Sequence, residues 1–220
     1  MWEFPAMNEL NVFVSVGGTA TDEQEIFVRA VEDRLRSEGL VPHTVGRNTF
    51  SSDAPLRTIT DLLDRCAGTV VIALERTYFA SGTEKRGGPK ESRLSDVRLP
   101  TPWNQIEAAM AYTRGHPLMV IVENGLKSEG LLEHGNDWYV QALRIDSAAL
   151  STTEFNGVLA NWKQKMLQPP KKAALSKAPS ELTIAELVGG LKATQLWSVL
   201  VALALLVSGA FALGGKLLGQ

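Results

Sequence analysis

The sequence predicts an α/β protein: a five-stranded parallel sheet with helices on both faces, plus one apolar C-terminal helix set apart from it. Three observations carry this. Short β-branched runs alternate with segments of helical apolar spacing, the pattern of strand–helix–strand crossovers. Two central runs, TVVIAL at 69–74 and LMVIV at 118–122, are apolar throughout, as in strands buried on both faces. A stretch rich in Pro, Lys, Ser and Ala at 167–192 then leads into about 23 uncharged residues, long enough to cross a hydrocarbon core.

The first strand is NVFVSV at 11–16, preceded by a leader at 1–10 that has neither a basic nor an apolar signal-peptide region. It breaks at Gly17-Gly18. Thr21 and Gln24 form a capping box for a helix that runs to about Glu38 and buries Phe27, Val31 and Leu35, with Ile26 and Ala30 beside them. Gly39 ends it. A weaker strand at 40–45 contains Pro42, which suits an edge. The Gly17–Thr19 turn could hold phosphate on backbone N–H groups, although a simple tight turn explains it as well.

The polar connection 46–52 carries Arg47 and Phe50 toward solvent or ligand. Asp53 reads as the cap of a second helix with Pro55 in its first turn. Leu56, Ile59, Leu63 and Cys66 follow at helical spacing. Cys66 is the only cysteine, so an intrachain disulfide is excluded. After the third strand, Glu75 and Arg76 stand where open α/β sheets keep their ligands. Residues 78–99 are glycine-rich and charged without apolar periodicity. They read as a structureless lid or a surface excursion.

Residues 100–124, PTPWNQIEAAMAYTRGHPLMVIVEN, organise the site. A helix from Trp103 to about Arg114 places Ile106, Ala109, Met110 and Thr113 on one face. Gly115 and Pro117 end it before the fourth strand. Trp103 and Glu107 lie four apart near the helix N-terminus. Glu107 is the candidate working residue, with favourable placement in the helix dipole as the plainer explanation. A helical turn at 128–132, a fifth strand at 137–143 and a helix at 153–165 burying Phe155, Val158, Leu159 and Trp162 complete the domain.

Composition adds exclusions. The 220 residues carry a net charge of −2, with 45% hydrophobic and 21% charged residues. No basic stripe interleaved with aromatics suggests nucleic acid. His43, His116 and His134 make no metal-ligand spacing, so no metal is expected. The span at 193–215 is ~34 Å long as a helix at ~1.5 Å per residue. Lys171, Lys172, Lys177 and Lys192 precede it and Lys216 follows, which places the folded domain on the cytoplasmic side of an inner membrane, with 216–220 as a tail. Small-residue pairs, Ala204 with Ser208 and Ala210 with Gly214, could let such anchors associate.

NVFVSV, the segment DAPLRTITDLLDRCAGTVVIAL and above all WNQIEAAMAYTRGHPLMVIV resemble the Toll/interleukin-1 receptor (TIR) family over residues 11–166. The resemblance implies a flavodoxin-like fold. It also implies that Trp103 and Glu107 match the tryptophan and catalytic glutamate of enzymatic members. Gly17, Gly18 and Thr19 would then line a nucleotide site, and 45–53, with Arg47 and Phe50, would form the gating and head-to-tail contact loop. The expected substrate is NAD, cleaved at its nicotinamide–ribose bond with no further cofactor. Fused to a membrane span, such a domain resembles effectors of bacterial anti-phage defence. A homo-oligomer is the expected assembly. The alternative is a non-catalytic sensor that binds a nucleotide signal, oligomerises and perturbs the membrane.

Overall fold

The computed structural model describes residues 10–168. Five strands form one parallel sheet: β1 (Leu10–Val16), β2 (Leu40–His43), β3 (Gly68–Ala73), β6 (Leu118–Glu123) and β7 (Val140–Leu143), in the order β2-β1-β3-β6-β7. This is the five-stranded parallel sheet predicted, with Pro42 on the edge strand as expected. Residues 1–9 of the expected leader, most of the linker and the apolar stretch 193–215 lie outside the described residues, while Leu10, placed in the leader, opens β1. Among the described residues no helix is long and apolar enough to cross a membrane.

Helices cover both faces. On one, α1 (Asp22–Ser37) and α4 (Thr153–Leu167) bury Phe27, Val31, Leu35, Phe155, Leu159 and Trp162 against Val12, Val14, Val70, Ile72, Met119 and Ile121. On the other, α2 (Pro55–Leu63) and α3 (Pro102–Thr113) pack Ile59, Leu63, Ala108 and Ala111 on Phe13, Val71, Ala73, Val120 and Val122. Successive residues of a strand point to opposite faces, so the apolar runs serve both cores.

Local chemistry sets the helix ends. The Gln24 N–H donates to Thr21 Oγ1 at 3.2 Å, and Ala20 N–H donates back to Gln24 Oε1 at 2.8 Å. Gly39 and Gly115 follow their helices at φ of 77° and 76°, a region glycine enters without strain. Asp53 does not cap α2. Pro55 occupies N1 and forbids helical geometry to the residue before it, which makes Ala54 the N-cap (φ −58°, ψ 139°) without a side-chain cap.

Three buried faces differ from expectation. Ile26 and Leu56 are exposed. Cys66 is buried but follows α2 rather than lying in it. On α3 the covered face is Asn104, Glu107, Ala108 and Ala111, while Ile106 is exposed.

The largest difference is at 78–99. That segment is an antiparallel hairpin, β4 (Thr77–Glu84) and β5 (Ser92–Leu99), paired from Thr77–Leu99 to Glu84–Ser92. It rises from the carboxyl end of β3 and returns to the start of α3. Arg76 N–H donates to Leu99 O at 2.9 Å and closes its base. Lys127 Nζ contacts Glu84 Oε1 at 2.8 Å, and Arg98 faces Glu75 at 3.5 Å.

Candidate functional site

The crossover from β1 runs to the edge strand β2, whereas β3 begins the other half of the sheet. The chain therefore parts at the carboxyl ends of β1 and β3, the place where such sheets open a crevice. A narrow crevice of about 10 Å³, room for about one water molecule, is present there, lined by Gly17, Gly18, Leu74, Glu75, Arg76, Thr101 and Asn104. Its walls are the loop after β1, the loop after β3 and the first turn of α3.

Each wall has a local cause. A Cβ on Gly17 would stand 2.9 Å from Thr101 Cγ2, so only glycine lets the loop approach the start of α3 this closely. Thr101 is the N-cap, accepting from Trp103 N–H at 3.4 Å, and Pro102 fills N1. Arg76 crosses the mouth, donating from Nη1 to Gly18 O at 3.2 Å.

Behind this crevice lies a buried polar group of three. Ser15 and Asn104 are 0% exposed and Glu107 is 8% exposed. Asn104 Nδ2 donates to Ser15 Oγ at 3.0 Å, to Ser15 O at 3.3 Å and to Ile72 O at 3.4 Å, wedging the amide into the seam between β1 and β3. Burial lifts Glu107 from 4.5 to about 7, and the Ser15 hydroxyl opposes this only in part. Glu107 is therefore poised to change charge near neutrality. Its environment is set by burial, not by the helix N-terminus, where Thr101 is the cap and no acidic residue occupies the first turn.

Of the residues singled out in the sequence, Gly17, Gly18 and Arg76 meet at the crevice. Glu107 stands behind it, one turn beyond Asn104. Trp103 is 40% exposed and outside the crevice lining. Thr19, Arg47 and Phe50 belong elsewhere. Thr19 Oγ1 donates to Glu25 Oε2 at 2.9 Å, and Arg47 grips both Glu25 oxygens at 2.8 and 2.9 Å. This latch ties the loops after β1 and β2 to α1. The Arg47 guanidinium, with help from Arg29 and Thr19, holds the Glu25 carboxyl down at about 2. Phe50 is 77% exposed at the tip of the second loop.

Ser15 and Asn104 were missed. Ser15 is the one polar residue within VFVSV, on the same face as Phe13. Asn104 precedes Glu107 by three, which puts the two on one helix face. Comparison of the chain with protein-family models, with curated proteins and with solved structures gives no match.

Proposed function

We propose that this chain is a TIR-like NAD glycohydrolase, held at a membrane by its C-terminal apolar stretch and acting in bacterial anti-phage defence. The observation that carries the reading is Glu107: a carboxyl group buried beside the β1/β3 crevice, with its charge balanced near neutral pH. Perturbed carboxyls in such positions are where acid–base and electrostatic catalysis concentrate.

The chemistry asks little of the protein beyond this. The bond from ribose C1′ to the pyridinium nitrogen breaks, and its electron pair leaves with neutral nicotinamide. Positive charge develops on the sugar, and water adds to C1′ and releases a proton. A carboxylate held in a poorly solvated site interacts more strongly with that developing charge than with the ground state. The ionised form of Glu107 is the useful one. A cationic sugar beside it would itself favour ionisation.

The second reading, a sensor that binds a nucleotide without cleaving it, is favoured by one observation: Glu107 lies behind Asn104, not in the crevice lining. Incubating the full-length protein, in detergent or in vesicles, with NAD and following nicotinamide release separates the two. Release supports the hydrolase. Saturable NAD binding without release supports the sensor.

A further inference from the structure

We propose that the outer edge of β4 pairs antiparallel with β4 of a second copy of this chain, joining the two hairpins into one four-stranded sheet about a two-fold axis at Ala80. The inference goes beyond the reading of the crevice and does not depend on what binds there.

An isolated two-stranded hairpin is marginal in water, and further strands are what make such a sheet stable. β4 and β5 form a sheet of two, and neither strand places a residue in either core. Each has an outer edge to guard, because a row of unpaired N–H and C=O groups is a template for another strand. β5 guards its edge. Arg93, Asp96 and Arg98 place charge along it, Asp96 leaves extended geometry at φ 53°, and Lys127 N–H donates to Arg98 O at 2.9 Å. β4 has none of these devices. Residues 77–83, TYFASGT, are uncharged, free of proline and all exposed. Among the described residues no backbone group outside the hairpin bonds to them.

The charges at the two ends of that run select the occupant. Glu75 and Arg76 precede it, and Glu84 and Lys85 follow it. In an antiparallel pair centred on Ala80, Thr77 stands opposite Thr83 of the second copy and Phe79 opposite its Ser81. Further out, Arg76 meets Glu84 and Glu75 meets Lys85, and the two-fold axis repeats both pairs at the other end. The uncharged run is thus bracketed on each side by opposite charges. Neighbouring two-fold registers lose this. Centring on Ser81 sets Arg76 against Arg86, and centring on Phe79 sets Glu84 against Leu74. Among the described residues Arg76 donates to Gly18 O but enters no ion pair, and neither does Lys85. A peptide from another protein could also add to the edge, but self-pairing alone makes this charge order its own complement.

The test is disulfide cross-linking of the full-length protein in lipid vesicles under a mild oxidant such as diamide. Cys66 is buried, and burial pushes its thiol up to about 12, so it stays out of the reaction. Directly opposed Cα atoms of an antiparallel pair lie ~4.5–5.5 Å apart, within disulfide reach. Ala80→Cys should therefore give a covalent dimer, and Ser95→Cys, in the middle of β5, should not. Copies carrying Thr77→Cys should cross-link to copies carrying Thr83→Cys but not to themselves, because identical positions there stand roughly 20 Å apart along the strand. Adding Ala80→Lys to that mixture faces like charges across the axis and should lower the yield roughly fivefold. Equal yields from Ala80→Cys and Ser95→Cys would mean random encounter of the chains and would overturn the inference. Self-linking of Thr77→Cys at the level of the mixed pair would do the same. So would no dimer at any of these positions, the outcome expected of an edge that takes a peptide from another protein. All the substituted positions are exposed, and the Ala80 and Thr77–Thr83 readings stand independently if one variant fails to fold.

Discussion

Asn104 Nδ2 lies 3.0 Å from Ser15 Oγ, a bond that joins α3 to β1 across 89 residues of chain, three residues before Glu107 on the same buried helix face. It keeps a carboxyl group buried where the apolar core of one sheet face ends and the crevice begins.

The cost of that burial is measurable as a dependence of stability on pH. Glu107 has its folded value raised from 4.5 to about 7, so between these values the folded protein holds more protons than the unfolded chain. Stability from this group is present below pH 4.5 and is lost as pH rises to about 7. At ~1.4 kcal/mol per pH unit the loss is on the order of 3 kcal/mol. Glu107→Gln escapes it. Urea unfolding at pH 5 and pH 8 should show the variant gaining on the parent as pH rises, and a constant difference would count against a buried, titrating Glu107.

Arg47 makes a prediction of the opposite sign. Glu25 is held down at about 2, chiefly by Arg47, so its contribution is present above pH 4.5 and fades as pH falls toward 2. Arg47→Ala should destabilise the domain by roughly 1–2 kcal/mol at neutral pH, a modest figure because the pair is partly wet. Glu32, almost fully buried and 3.6 Å from Arg47, loses a neighbour in the same change. The difference between variant and parent should shrink on acidification. An unchanged difference from pH 7 to pH 3 would show that the latch carries no such energy.

The hairpin is separable from the fold. Arg76 and Leu99 are already hydrogen-bonded at its base, so a short Gly/Ser connection can replace residues 78–98 without stretching the chain. The strands place no residue in either core. The shortened protein should keep its circular dichroism and its thermal midpoint within a few degrees, while ligand binding changes if β4 and β5 help frame the crevice. A collapse of the fold would show that the ion pairs to Glu75 and Lys127 matter more than their exposure suggests.

The sheet was legible because its signal is strong: apolar runs of strand length, broken by Gly and Pro and alternating with helical spacing. The hairpin was illegible for the converse reason. Its residues, Tyr78 and Phe79 included, are mostly exposed and none is buried, so no alternation of apolar and polar positions marks the strands, and backbone pairing with a few surface ion pairs holds them. On α3 the apolar residues misled. Ile106 and Met110 suggested the covered face, but the sheet is approached by Ala108 and Ala111, whose small side chains leave space for Asn104 and Glu107 to reach β1. The glutamate was therefore identified while the neighbouring Ser15 and Asn104 were not. The Thr19–Glu25–Arg47 latch joins loops distant in sequence and left no local pattern to read.

The apolar stretch at 193–215 predicts that full-length protein sediments with membranes and resists carbonate, whereas a chain ending near Lys172 is recovered in the soluble fraction. Full-length protein that stays soluble without detergent would remove the membrane from the account.

The most direct test of the proposed chemistry is nicotinamide release from NAD by the full-length protein and its Glu107→Gln variant, measured side by side above pH 7, where Glu107 is ionised. The amide keeps the size and a hydrogen-bonding group but not the charge. Loss of an electrostatic stabiliser of this kind typically lowers the rate ~10²–10³-fold. The account predicts such a fall in a variant that is at least as stable as its parent. A Glu107→Gln protein that releases nicotinamide at the parental rate would contradict it.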